Sequence, residues 1–313
     1  MQRLPFLIVG ISVLFFITCL DAPRDNMYDA DNPNKAYFSM IVYELGLYPI
    51  EGSVVNLTQN DTIVKSDTTD SNGIAAFEEI DPGIYYITAT TEYYQPIASG
   101  PESLWAEAYV VDHRMEFLTL HFEDDLLGTP SPYRLMIESG HWAVVVSDEE
   151  PQTHSTPHVY LGNDSMPSGC ALSLCELDAE HFFFSVRLNV LGTEESNWNA
   201  GVVFRFQDKY NYYALTLSPD TTYCYVLRDG QLSYLRAIAR ETKVDTWHNI
   251  KVEHREGEPT IRINIDDAVY FALYDNILSG GRVGLIVSDN DGPIPASTYF
   301  DDFTLDLSYS HVQ

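Results

Sequence analysis

Along most of the chain apolar and polar residues alternate with a period of two, in short runs broken by Gly, Pro, Asn and Asp. That is the pattern of strands half buried in a sheet. No long stretch carries a 3.6-residue apolar period with caps at its ends, so the pattern predicts an all-β protein. The Asp70-Ser71-Asn72-Gly73 cluster is read as a turn between two strands, with Gly73 free to take φ > 0. Asp81-Pro82-Gly83 reverses the chain into 84–89, where Tyr85, Ile87 and Ala89 share a face. Further on, Val202, Phe204 and Phe206 alternate with Val203, Arg205 and Gln207, and Asp208–Asn211 reads as a hairpin turn. Ile261, Ile263 and Ile265 alternate with Arg262 and Asn264 before Asp266-Asp267 turns the chain again. Trp247 is expected in the core, and Tyr212 and Tyr213, on opposite faces, leave at most one of the pair exposed.

One segment breaks the alternation. Leu4 to Ile17 is apolar behind Arg3 and too short for the ~20 residues that span a bilayer, so it reads as an export signal. It stops at Cys19, and Asp, Asn and Pro dominate from Asp21 to Asn34, a soluble tether.

Composition narrows the functional classes. With 313 residues and 45% hydrophobic content the chain has enough apolar material for two or three packed domains. Its 46 acidic against 17 basic residues give a net charge of −29, which repels phosphate backbones and excludes nucleic acid as a partner. The same acidity suits an extracellular setting where divalent cations are plentiful. After Cys19 three cysteines remain, Cys170, Cys175 and Cys224, so one bridge leaves one thiol over. Cys170 and Cys175 fall on opposite faces of a continuous strand and cannot bridge each other. The sequons at Asn56, Asn60 and Asn163 are taken as turn residues. His154 and His158 stand at i, i+4 without helical order, and neither GxSxG nor a Gly-rich phosphate loop occurs.

Several stretches resemble known families. Phe16-Ile17-Thr18-Cys19 resembles the lipobox of bacterial lipoproteins, and Pro23-Arg24-Asp25-Asn26 and its sequel resemble the start of many bacterial surface lipoproteins. This implies a signal peptide over 1–18, lipidation at Cys19, a tether over 19–36 and anchoring in the outer membrane at the cell surface. "PIEGSVVNLT", "TDSNGIAAFEEIDPGIYYITA" and the following "EYY" resemble the carboxypeptidase regulatory-like domain, which implies a small prealbumin-like β-sandwich over 37–112 without catalysis of its own. From 113 to 313 an ordered set of motifs is similar to the concanavalin A-like (laminin G-like) jelly roll, in the branch with 3-keto-disaccharide hydrolase-like domains. Its members here are Phe117–Asp125, Gly140-His141-Trp142, Ala200–Leu215, Thr246–Val252, Ser279–Leu285 and Tyr299–Phe303.

Three sets of residues carry candidate chemistry. Glu176-Leu177-Asp178-Ala179-Glu180 matches the ExDxE pattern of some retaining glycosidases of this fold, and in a strand its three carboxylates share one face. Acidic chains produce so short a pattern easily, so surface carboxylates are the expectation, with a glycoside hydrolase as the alternative. Trp198, in a polar setting, is the candidate exposed platform for a sugar ring. Glu123, Asp124 and Asp125 close one strand and Asp301-Asp302 lies in another, and the resemblance sets these strands side by side. A structural calcium ion held by Glu123, Asp125, Asp301 and Asp302 follows as an expectation. The sequence therefore reads as a lipid-anchored surface protein whose last domain binds carbohydrate or another surface partner. A purely structural or adhesive role is the remaining alternative.

Overall fold

The computed structural model describes residues 35–44, 49–105, 108–115, 117–147, 158–163, 169–191, 198–274, 277–289 and 297–307. The signal peptide over 1–18, Cys19, the tether as far as Asn34 and His154 lie outside them, whereas Lys35 and Ala36, expected in the tether, are described, and buried Ala36 opens the first strand. The described residues are strands, turns and bends without a helix, so the protein is all-β. The chain forms two compact units: residues 1–92 with 96–114, and residues 93–95 with 115–313.

In the first unit β1 (Ala36–Glu44), β2 (Val54–Gln59), β3 (Thr62–Thr68), β4 (Ile74–Ile80), β5 (Gly83–Thr91), β6 (Tyr94–Leu104) and β7 (Ala108–Met115) make two layers, ordered β4-β1-β7 and β6-β5-β2-β3. Alternation decides which side chains turn inward: Phe38, Met40 and Val42 on β1, Val55 and Leu57 on β2, and Tyr85, Ile87 and Ala89 on β5 are all buried. The turn at Asp70 forms as expected, its Oδ1 accepting the amides of Asn72 and Ile74, each at 2.9 Å. Gly73 sits there at φ +73°, where a Cβ would come within 2.4 Å of the Val42 carbonyl oxygen.

The second unit contains β8 (Phe117–Leu120), β9 (Leu135–Ser139), β10 (His141–Val146), β11 (His158–Asn163), β12 (Ala171–Ala179), β13 (Phe182–Leu191), β14 (Trp198–Asp208) and β15 (Asn211–Leu217). It continues with β16 (Thr221–Arg228), β17 (Gln231–Ala239), β18 (Trp247–His254), β19 (Ile261–Ile265), β20 (Val269–Leu273), β21 (Gly281–Asp289) and β22 (Ser297–Asp306). One sheet has seven strands in the order β17-β16-β15-β14-β21-β12-β9. The other runs β20-β19-β18-β13-β22, with β11 and β8 along successive halves of β22 and β10 beyond β11. The chain passes back and forth between the two sheets, as in a jelly roll.

Between the sheets Phe182, Phe184, Val186, Leu188, Ile250, Val252, Phe300 and Phe303 meet Ala200, Val202, Phe204, Tyr213, Leu215, Val283 and Leu285, all buried. Tyr160 on β11 reaches Ser173 on β12 across this core at 3.1 Å. Leu172 and Leu174, the neighbours of Ser173, therefore point out of the sandwich.

Three sequence expectations need correction. Trp198 is 1% exposed, in phase with the core residues Ala200, Val202 and Phe204. Trp247 is only half buried on the outer side of β18, under the Arg187 guanidinium at 5.4 Å, while His248 takes the inward place. Tyr212 and Tyr213 are both buried, which agrees with the expectation that at most one of them is exposed. The alternation of β14 fails at Arg205, whose φ of +51° marks a bulge. Beyond it Phe206 joins the outward residues, stacked on Tyr212, while Phe204 stacks on Tyr213 in the core.

Candidate functional site

The seven-stranded sheet is apolar on both faces. On the side turned away from the core, Leu172, Leu174, Val203, Phe206, Tyr212, Ala214 and Ile286 form a buried cluster of their own, with Cys170, Tyr225 and Leu227 packed against it. Register explains how residues distant in sequence gather here. Leu174 lies opposite Gly284, Gly284 opposite Val203, Val203 opposite Ala214, and Ala214 opposite Tyr225. Tyr225 in turn lies opposite Tyr234 on the edge strand β17.

The tyrosines form the rim. Tyr234 is 62% exposed and packs against Tyr223 at 5.4 Å and edge-on to Tyr225 at 6.1 Å. Leu232 beside it is also exposed. Burial and neighbouring phenols and thiols push the Tyr212 and Tyr225 hydroxyls far above the ordinary phenol range, so both remain neutral donors at any physiological pH. At one end of the face the aromatics meet charge. The Arg282 guanidinium lies over the Phe206 ring at 5.4 Å, and Asp178 stands opposite Arg282 in the register of β12 and β21. Arg134 covers the Tyr133 ring at 5.2 Å and donates to Glu176 at 3.1 Å. Aromatic planes beside paired arginines and carboxylates can stack on sugar rings and hydrogen-bond their hydroxyls.

The ExDxE carboxylates lie along this face. Glu176 and Asp178 are exposed while Cys175, Leu177 and Ala179 are buried, and exposed Glu180 follows beyond the end of β12. Trp198 belongs to the opposite, core side and cannot serve as an exposed platform. Cys170, Cys175 and Cys224 are not bridged to one another, and burial pushes the Cys175 thiol up to about 12. Nothing in the spacing of the sequence pointed to Tyr223, Tyr225, Tyr234 or Arg282. The available signal was Thr221–Leu227, apolar at both parities, as a strand covered on both faces must be.

The acidic residues proposed for a cation are distributed differently. Asp301 is buried and its Oδ1 accepts the Asp302 amide at 2.8 Å. Asp302, at φ +50°, turns the other way and takes Arg187 at 3.2 Å and His121 at 2.9 Å. Burial, with the charges of Asp302 and Glu123, pushes the Asp301 carboxyl up to about 8. Among the described residues no three His, Cys, Asp or Glu side chains are grouped closely enough to hold a metal ion.

No family model matches the sequence, and no curated protein matches it. Among solved structures it is similar to the carbohydrate-binding module CBM66 from Bacillus subtilis, at 18% identity over 55% of this chain and 95% of that one, with a TM-score of 0.44. It is also similar to a Crh5 transglycosylase, at 12% identity over 61% and 84% with a TM-score of 0.44. A third is a β-glucanase from Bacillus licheniformis, at 7% identity over 60% and 97% with a TM-score of 0.42. Likeness at this level assigns no activity.

Proposed function

We propose that the protein is anchored at the bacterial cell surface through a lipid on Cys19 and binds a neutral glycan on the outward face of its seven-stranded sheet. In this reading the first unit is a prealbumin-like spacer. The observation that carries the binding site is the group of Tyr223, Tyr225 and exposed Tyr234 at the edge of the sheet, beside a buried apolar cluster and with Arg282 and Asp178 at the other end. A neutral ligand is favoured because the arginines of the face stand beside carboxylates and the whole chain carries a charge of −29. A second reading, glycan hydrolysis, has one observation in its favour: Glu176 and Asp178 are both exposed along that face.

Affinity electrophoresis of the whole chain in laminarin, xylan and alginate tests the binding reading. Retardation by a neutral polymer is expected, weakened about tenfold in Tyr234→Ala, as loss of one ring contact would give. The melting temperature of that variant should not move, since Tyr234 is exposed. Retardation by none, or equal retardation of the variant, rejects the site. Release of reducing ends that is lost in Glu176→Gln with Glu180→Gln would favour hydrolysis. Anchoring is tested separately: a palmitate analogue should label the protein in growing cells and fail to label Cys19→Ser.

A further inference from the structure

At the end of β14 a buried cation and a buried imidazole face each other. Arg205 is 2% exposed and His254 6%. Arg205 Nη1 donates to the Leu278 carbonyl at 2.6 Å, and Nη2 lies 3.1 Å from both ring nitrogens of His254. The same nitrogens face two backbone carbonyls: Nδ1 is 3.0 Å from the oxygen of Glu180 and Nε2 is 3.1 Å from that of Glu258. We propose that His254 is a proton-operated latch, which on taking a second proton releases Arg205 and with it the bulge that turns Phe206 onto the outward face.

The hydrogen-bond inventory supplies the reason. A guanidinium only donates, so Arg205 needs a lone pair on the ring. A neutral imidazole has one lone pair and one N–H, which serve Arg205 and one of the two carbonyls. An imidazolium has two N–H groups and no lone pair. It satisfies both carbonyls and leaves Arg205 facing an N–H and a like charge. Protonation thus exchanges the ring's bond with Arg205 Nη2 for a bond to the second carbonyl, and the guanidinium loses its partner on His254 while Nη1 keeps the Leu278 carbonyl.

The charged surroundings oppose the second proton, so the ring takes it only as the pH falls. His181 stacks on His254 with centroids 5.0 Å apart and planes 11° from parallel, and after burial and the Arg205 charge its proximity holds the His254 pKa down. Among the nearby acids, Glu258 is engaged by Arg262 at 2.5 Å, Glu253 by Arg255, and the Glu180 side chain is exposed. Burial and the Arg205 charge hold His254 below the ordinary imidazole range, so the ring is neutral at neutral pH.

The bulge depends on Arg205. Its backbone is left-handed, a conformation a non-glycine residue keeps only when its surroundings hold it there. Pairing of β14 with β21 shifts register between Val203 and Phe206, and Gly281 lies so close that a Cβ would come within 2.5 Å of the Phe206 carbonyl oxygen. When the guanidinium loses His254, β14 can slip by the extra residue, and a one-residue slip moves a side chain to the opposite face. Phe206 then leaves the floor beneath Arg282.

The test uses no ligand, so it stands apart from the glycan reading. Hydrogen exchange of the segment 202–208 is followed in the whole chain at about pH 7.5 and about pH 5, corrected for intrinsic rates. Protection should fall at least tenfold at the acidic pH in the wild type and stay constant in His254→Gln, whose amide gives Arg205 a permanent acceptor. Equal protection at both pH values in the wild type, or the same loss in the variant, overturns the latch. Ring-carbon NMR of the wild type gives a check that needs no variant. His254 and the Phe206 amide should titrate with one midpoint, and different midpoints, or a Phe206 amide indifferent to His254, overturn it as well.

Discussion

Asp301 contributes to stability with an unusual sign. Its folded pKa of about 8 lies above the ordinary carboxylate value of 3.8, so the folded state holds a proton that the unfolded state has lost. Folding is therefore helped least at high pH: the contribution is fully present below about 3.8 and is lost as pH rises through 8. Asp301→Asn keeps the shape without the charge. It is expected to raise stability near pH 8.5 by on the order of 3 kcal/mol and to do little near pH 4, measured by urea unfolding at both. A variant no more stable than wild type at the higher pH would show that the carboxylate is well accommodated as an anion. At this scale the sequence was legible only in part. Trp198 looked exposed because its neighbours Glu194 to Asn197 are polar, yet its parity with Ala200 and Val202 places it inside. Trp247 looked buried because tryptophan is large and apolar, yet His248, fixed by Asp266 at 2.8 Å, holds the inward position. Residue type was followed where strand phase was decisive.

Among the elements the hairpin β19–β20 separates two adjacent aspartates by role. Both Asp266 and Asp267 have φ above +50°, so both carry the strain of a turn suited to Asn or Gly. Asp266 is committed: its carboxylate takes Arg240, His248 and the Asn249 amide, the last at 2.7 Å. Although burial opposes ionisation, these partners lower its pKa to about 2. A depressed carboxylate stabilises above its unfolded value of 3.8 and loses that contribution as pH falls through 2. Asp267 is exposed: its carboxylate meets Lys251 at 2.9 Å and its amide donates to Asn264 Oδ1 at 3.0 Å. Asp266→Gly should therefore cost about 2–3 kcal/mol at pH 7. Asp267→Gly should be neutral or stabilising by up to about 1 kcal/mol, since glycine relieves the left-handed backbone and an exposed ion pair contributes little. Equal losses in thermal melts of the two variants would contradict this division. Turns such as this one and the one at Asp70 were readable because Asp, Asn and Gly cluster where φ must be positive. The bulges at Arg205 and Asp302 were not, because arginine and aspartate there are set by partners across the fold, and each bulge reverses the faces that simple alternation assigns.

At the scale of the whole molecule the chain forms two compact units, and its path between them does not follow the order of the sequence. Tyr93 to Gln95 belong to the second unit although 96–114 return to the first. They have work to do there: Tyr93 stacks on Tyr133 at 4.6 Å, and Tyr94, almost fully buried, pairs with Leu118 on β8. Residues 115–313 expressed alone lack these rings. They should unfold, by tryptophan fluorescence, at a lower urea concentration than the same unit in the whole chain, by about 2–4 kcal/mol for the loss of a buried aromatic. An unchanged midpoint would mean that Tyr93 and Tyr94 are dispensable to the second unit. The consequence reaches beyond stability. A gene segment that begins at residue 115 leaves part of the second unit behind, so shuffling 115–313 as a cassette into another protein would strand Tyr93, Tyr94 and Gln95 in the donor. During synthesis those residues leave the ribosome before the last strands of the first unit do, and they wait there for a partner that has yet to be made.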